Sequence, residues 1–213
     1  TDSDDVAEGN RTFYFDIEVE VVDGFPDVEK AETAITSIAI YDEIMKKYIC
    51  YTLDSKNTIQ NYENGDTSVE LFKTENELLT RFYQKYAEIN PTILSGWNID
   101  YFDIPYLYNR TVRVLGSEVA KMLSPIRHCY YNEYKKKFVI AGVSVLDYLA
   151  LYKKFSPIQQ SSYRLDYIGE VEDGMKKIEY DGTLNDLFEN DLQKFIDYNI
   201  RDVRILVELN DKL

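Results

Sequence analysis

The stretch FYFDIEVE, from Phe13 to Glu20, alternates apolar and polar side chains with a period of two, the spacing of a β-strand whose successive residues point to opposite faces. Phe13, Phe15, Ile17 and Val19 then share one face, while Tyr14, Asp16, Glu18 and Glu20 share the other. A solvated edge strand gives the same alternation. The aromatic and β-branched content suits an interior strand, where paired acids have little bulk water around them unless a cation or partner compensates their charge.

Two further segments carry acids in informative settings. PTILSGWNIDYFDIPY, from Pro91 to Tyr106, reads as a short buried strand from Thr92 to Ser95, a loop through Gly96 and a helix beginning near Asp103. Asp103 at the helix start and Pro105 in its first turn fit helix-entry chemistry, so an N-cap is the ordinary alternative to a functional role for Asp103, and Asp100 competes for it. Gly96, Trp97 and Asn98 place a tight turn beside an aromatic and an amide, groups suited to holding a base or a sugar. From Asn190 to Leu213, apolar residues at Leu192, Phe195, Ile196, Ile200, Val203, Leu206, Val207 and Leu209 have the spacing of an amphipathic helix. Tyr198 and Asp202 lie one turn apart on one side of it, and Asn199 and Arg201 point elsewhere. Alone, such a Tyr and Asp pair is ordinary surface hydrogen bonding.

In order, these segments resemble the Exo I, Exo II and Exo III motifs of proofreading exonucleases: DxE at Asp16 and Glu18, Asn98 with a following Phe102 and Asp103, and YxxxD at Tyr198 and Asp202. The likeness runs from about Phe13 to about Leu209, through GVSVLDYLALYKKF, SSYRLDYIGEVE and IEYDG. The chain is similar to the 3′–5′ exonuclease domain of B-family replicative DNA polymerases, above all those of T-even-like bacteriophages.

That resemblance implies an α/β domain of ribonuclease H-like fold, with a mixed central sheet flanked by helices and an inserted β-hairpin, that removes deoxynucleoside monophosphates from a single-stranded or frayed DNA 3′ end. It implies that Asp16, Glu18 and Asp202 hold the metal that activates water, that Asp16 bridges to a second metal, and that Asp103 helps hold the second, largely through water. Two cations supply charge neutralisation in phosphodiester cleavage, and magnesium or manganese fits an all-oxygen site. Tyr198 would orient the attacking water. Some related exonucleases carry a histidine five residues before the last acid; here that position is Asp197, and the lone histidine, His128, lies in the hairpin segment. Lys177 and Tyr180, in KIEYDG, join Asn98 and Phe102 as expected substrate contacts.

The formal net charge of −14 runs against a basic footprint for nucleic acid. A few single-stranded nucleotides can instead be held by metal charge and stacking, for which nineteen Tyr and ten Phe give ample material. Basic clusters occur at Lys135 to Lys137, Lys153 with Lys154, and Lys176 with Lys177. YKKKF is the best placed, joining the β-rich CYYNEY and FVIAG in a hairpin spanning about 126–142.

Length and the lack of a Pro/Gly/Ser-rich linker argue for one domain over 12–213, with residues 1–11 a linker or frayed terminus. Three strands are expected up to about Leu53, then a polar excursion from Asp54 to Asp66 with Asn57 to Ser68 mobile, and a helix from Glu75 to Ile89. Two cysteines without metal-ligand spacing, and no signal or membrane-spanning run, point to reduced thiols and a cytoplasmic setting, a host's if the source is viral. The polymerase palm signatures are absent from this sequence, so a fragment of a larger polymerase, whose palm, thumb and N-terminal domains lie elsewhere, is the expectation. Two other readings use the same residues: another ribonuclease H-like nuclease, and a non-catalytic binding or spacer module of a polymerase.

Overall fold

The alternation in FYFDIEVE becomes strand β1 (Thr12–Val19), and its two faces enter two separate cores. The computed structural model describes residues 9–22, 24–156, 158–175 and 178–212. β1 is an interior strand, antiparallel to β2 (Ile35–Asp42) and parallel to β6 (Ile93–Gly96). Beyond β2 lie β3 (Lys47–Leu53), β5 (Thr67–Phe72) and β4 (Tyr62–Asn64), and beyond β6 lies β9 (Ser144–Asp147). The result is a seven-stranded mixed sheet in the order β4-β5-β3-β2-β1-β6-β9.

Phe13, Phe15, Ile17 and Val19 bury against α1 (Glu75–Ile89), through Leu78, Leu79 and Phe82, and against Ile104 and Leu107 of α2 (Asp103–Leu115). α1 begins with a capping box: the Thr74 hydroxyl accepts from the Glu77 N–H, and the Glu77 carboxylate accepts from the Thr74 N–H. On the opposite face Tyr14, Ala39 and Cys50 pack under Ile196, Ile200 and Val203 of the long helix α7 (Leu192–Lys212). α4 (Tyr148–Phe155) adds Tyr152 and α5 (Leu165–Asp173) adds Ile168 to that layer. Two shorter helices, α3 (Ser117–Ala120) and α6 (Leu184–Asn190), complete the set. β7 (Cys129–Asn132) and β8 (Lys137–Ile140) form a separate antiparallel ribbon joined by residues 133–136.

Three expected features change. The stretch expected to be mobile from Asn57 to Ser68 instead supplies β4 and the start of β5, since Asp54 accepts from the N–H groups of Thr58 and Ile59 and anchors the turn. β9 is an edge strand of only four residues running directly into α4, too short for alternation to mark it. Of the expected terminal segment, residues 1–8 lie outside the described residues, while Arg11 donates its backbone N–H to Thr92 and its Nε to the Asn90 carbonyl. His128 stacks its ring near Tyr130, 5.1 Å away, at the start of the ribbon. Both cysteines are free thiols, Cys50 buried and Cys129 half-buried. Among the described residues, no helix is long and apolar enough to cross a membrane.

Gly96 ends β6 just past its last pair with β1, packed against the Phe15 backbone and the Ile99 side chain. A Cβ there would lie 2.7 Å from the Phe15 carbonyl oxygen and 2.2 Å from Ile99 Cγ2, and the backbone contact leaves no side chain able to swing away. Gly96→Ala is therefore expected to cost about 1–3 kcal/mol by overpacking. The urea unfolding midpoint reads this directly, and an unchanged midpoint would show that β1 and β6 part without penalty.

Candidate active site

Pairing of β1 with β6 stops at Tyr14, and β1 continues alone on that side through Asp16, Ile17 and Glu18. The register between β1 and β2 shifts between Glu18 and Val19, an irregularity of the kind that bends a strand and re-aims its side chains. Asp16 and Glu18 emerge on the face covered by α7, and Asp202 meets them from that helix. Carboxylate oxygens of Asp16, Glu18 and Asp202 lie within 4.8 Å of one another, and all three residues are half-buried.

Asp103 approaches from the other side of β1. It is the first residue of α2, while the N-cap position belongs to Phe102, and no side chain caps that end. The alternative N-cap role of Asp103 is thus overturned. Its Oδ1 instead accepts the N–H of Ile17, at 3.1 Å, a backbone donor lying beyond the reach of β6. Asp100 does not cap α2 either: Lys137 of the ribbon donates to its carboxylate at 3.0 Å.

Burial dominates the electrostatics. It pushes the Asp16 and Glu18 carboxyls well above the usual carboxylate range. For Asp16 the charges of Asp103, Glu18 and Asp202 add to this, with the Asn199 amide opposing. For Glu18, Asp202 and Asp103 add. Burial likewise raises Asp103 to about 7, against the opposing hydrogen bond from Ile17. Tyr198, half-buried one turn before Asp202, has its phenol pushed upward by burial and then by Asp202 and Glu18. The Tyr180 ring stands perpendicular to it at 5.8 Å.

The loop after β6 is held by a buried acid. Asn98 adopts a left-handed backbone with φ 63°, and its N–H and that of Asp100 are accepted by the two carboxylate oxygens of Asp147. The same carboxylate caps α4 at Leu149 and Ala150. Trp97 donates its indole N–H to the Tyr163 carbonyl. Phe102 is half-buried and its ring lies 5.4 Å from that of the exposed Phe25. Lys177, like Lys176, lies outside the described residues.

Asn199, expected to point elsewhere, is fully buried, and its Nδ2 donates to Asp16 Oδ2 at 2.7 Å. The signal was available. Asn199 falls within the buried series Phe195, Ile196, Asn199, Ile200, Val203, where a polar residue needs a partner. Arg201 does turn away, donating to the Met175 carbonyl.

A carboxyl whose folded value lies above its unfolded one binds a proton in the native state that the unfolded chain has released, so it stabilises below the unfolded value and that stability fades through the folded one. For Asp103 the window runs from 3.8 to about 7. Asp103→Asn keeps an oxygen for the Ile17 N–H and removes the charge. With chelator present, its stability relative to the unsubstituted chain is expected to improve as pH rises through that window. Thermal unfolding across pH is the measurement, and a constant difference would contradict the assigned cause.

The family model for the exonuclease domain of family B DNA polymerases matches residues 3–168. A DNA-directed DNA polymerase of Escherichia phage RB69 is 37% identical over 95% of this chain and 25% of its own length. That of Enterobacteria phage T4 is 35% identical over 93% of this chain and 25% of its own. DNA polymerase 1 of Saccharolobus solfataricus is 32% identical over 86% of this chain and 20% of its own. The chain thus spans about a quarter or less of the length of these relatives. By the extent of the family match and these identities, it belongs to the exonuclease-domain family of the family B DNA polymerases.

Proposed function

We propose that residues 12–213 are a proofreading 3′–5′ exodeoxyribonuclease domain of ribonuclease H-like fold, acting on the single-stranded or frayed 3′ end of DNA. The convergence of Asp16, Glu18 and Asp202 carries this reading. Three carboxylates held this close, two of them pushed upward by burial and mutual repulsion, are a donor set that a hard divalent cation suits. Asp16, Glu18 and Asp202 would hold one Mg²⁺ or Mn²⁺, with Asp16 shared with a second that Asp103 assists through water. The pair would supply activation of water and neutralisation of charge on the scissile phosphate.

The remaining chemistry belongs to the chain. Because burial and the neighbouring carboxylates keep the Tyr198 phenol neutral through the physiological range, it orients water by hydrogen bonding and does not serve as a phenolate base. Tyr180 packs on the Tyr198 ring and restricts its swing. Phe102, with Phe25 beside it, offers an aromatic rim for a terminal base, and Asn98, whose carbonyl accepts from the Phe102 N–H, adds an amide from the same loop. Lys177 completes the proposed substrate contacts. The ribbon β7–β8 is read as the inserted hairpin, tied to the site's loop through Lys137 and Asp100. Duplex DNA would be held by palm, thumb and N-terminal domains in a larger polymerase, working in the cytoplasm, since a net charge of −14 gives this domain little long-range attraction for phosphate.

Asp16→Ala or Asp202→Ala is expected to slow release of mononucleotides from a single-stranded oligonucleotide by on the order of 10³-fold, the several kcal/mol a metal site supplies. Chelation should abolish cleavage, and circular single-stranded DNA should stay intact. Cutting of the circle would indicate an endonuclease. A folded Asp16→Ala chain as active as the original would leave only a binding module.

A further inference from the structure

Beneath the acids runs a column of buried polar side chains. Ser37 faces Glu18 across β1 and β2, and Thr52 faces Ser37 across β2 and β3. Ser37, Thr52 and Asn199 are all fully buried, within a layer that is otherwise apolar. The Ser37 hydroxyl lies 2.8 Å from Asn199 Oδ1 and 2.9 Å from Thr52 Oγ1. Cys50 borders the column, its sulfur 3.2 Å from both hydroxyls.

The direction of each hydrogen bond follows from the amide. Its NH₂, which only donates, faces Asp16, and its oxygen, which only accepts, faces Ser37. Ser37 must then donate to that oxygen, and Thr52 must donate to Ser37. A chain of this kind polarises each member and resists the flip that would present the amide oxygen to Asp16. Buried polar groups are costly in an apolar layer, and here the whole series ends on one carboxylate oxygen.

We propose that Asn199 is a positioning residue for Asp16, locked in one orientation by the Thr52–Ser37 relay, and that it fixes the carboxylate plane in which Asp16 meets a divalent cation. This rests on the metal-site reading above. Partners that orient a metal ligand from behind commonly govern affinity as strongly as the ligands' own geometry.

Two variants test it, with Mn²⁺ as the probe and no DNA present. Asn199→Leu, close in size but without the amide, is expected to weaken Mn²⁺ binding about 10- to 100-fold, measured by the paramagnetic resonance of free Mn²⁺. Excess Mn²⁺ should restore part of kcat, with KM for the oligonucleotide unchanged. Ser37→Ala keeps the amide but leaves its oxygen only the weak Cys50 thiol donor, 3.8 Å away, and should weaken binding in the same direction by less. A folded Asn199→Leu chain with unaltered Mn²⁺ affinity overturns the proposal. If that variant does not fold, Ser37→Ala decides, and unaltered affinity there overturns it equally. An unsubstituted chain that takes up no Mn²⁺ would sink the metal-site reading and this proposal together, whereas normal uptake by chain and variants alike sinks this proposal alone.

Discussion

Like charges held together out of water are the constraint on which the molecule is organised. Asp16, Glu18 and Asp202 come from a strand and a helix up to 186 residues apart, from Asp16 to Asp202, and their repulsion opposes the very packing that joins them. Nothing local holds such a cluster. It persists because β1 is clamped on one face by the aromatic core of α1 and on the other by the apolar stripe of α7. Either layer alone would leave one strand face free to turn its acids toward solvent.

The clamp also explains the roles of neighbouring polar groups. Where β6 ends, β1 has an exposed backbone donor at Ile17, and Asp103 satisfies it. One carboxylate thereby satisfies the donor that β6 leaves unpaired and brings a fourth acid close enough for its charge to raise Asp16 and Glu18. Asp147 works similarly one strand further out, satisfying the loop at Asn98 and Asp100 and the first turn of α4. Crevices of this kind, at the carboxyl ends of parallel strands, are where open α/β sheets place their chemistry. The parallel neighbours β1, β6 and β9 supply that edge here.

What was legible in the sequence was whatever burial writes as a repeating pattern. β1 announced itself by alternation because each face enters a different core, and α7 by its apolar stripe. β4, β5 and β9 did not, being short or partly solvated strands whose residues carry no consistent face. For Asp103 local chemistry also offers the role of a cap, which the structure gives to Phe102. The real partner of Asp103, Ile17, is 86 residues away and is a backbone group, invisible to any side-chain motif. Asn199 does point away from Tyr198 and Asp202 around the helix, but its position in the stripe turns it inward, onto Asp16.

Asp103 and Asn199 share a physical role. Both residues spend their hydrogen bonds on β1, Asp103 on its backbone and Asn199 on Asp16 itself. A strand bearing acids that repel their surroundings gains from directional contacts that an apolar core does not supply, because dispersion fixes where a strand lies but not how a carboxylate is rotated about it. The apolar layers therefore set the position of the acids, and the buried polar partners set their orientation. For a cluster proposed to match the geometry of a small cation, orientation would be the more demanding requirement, since it is set by the fold in advance.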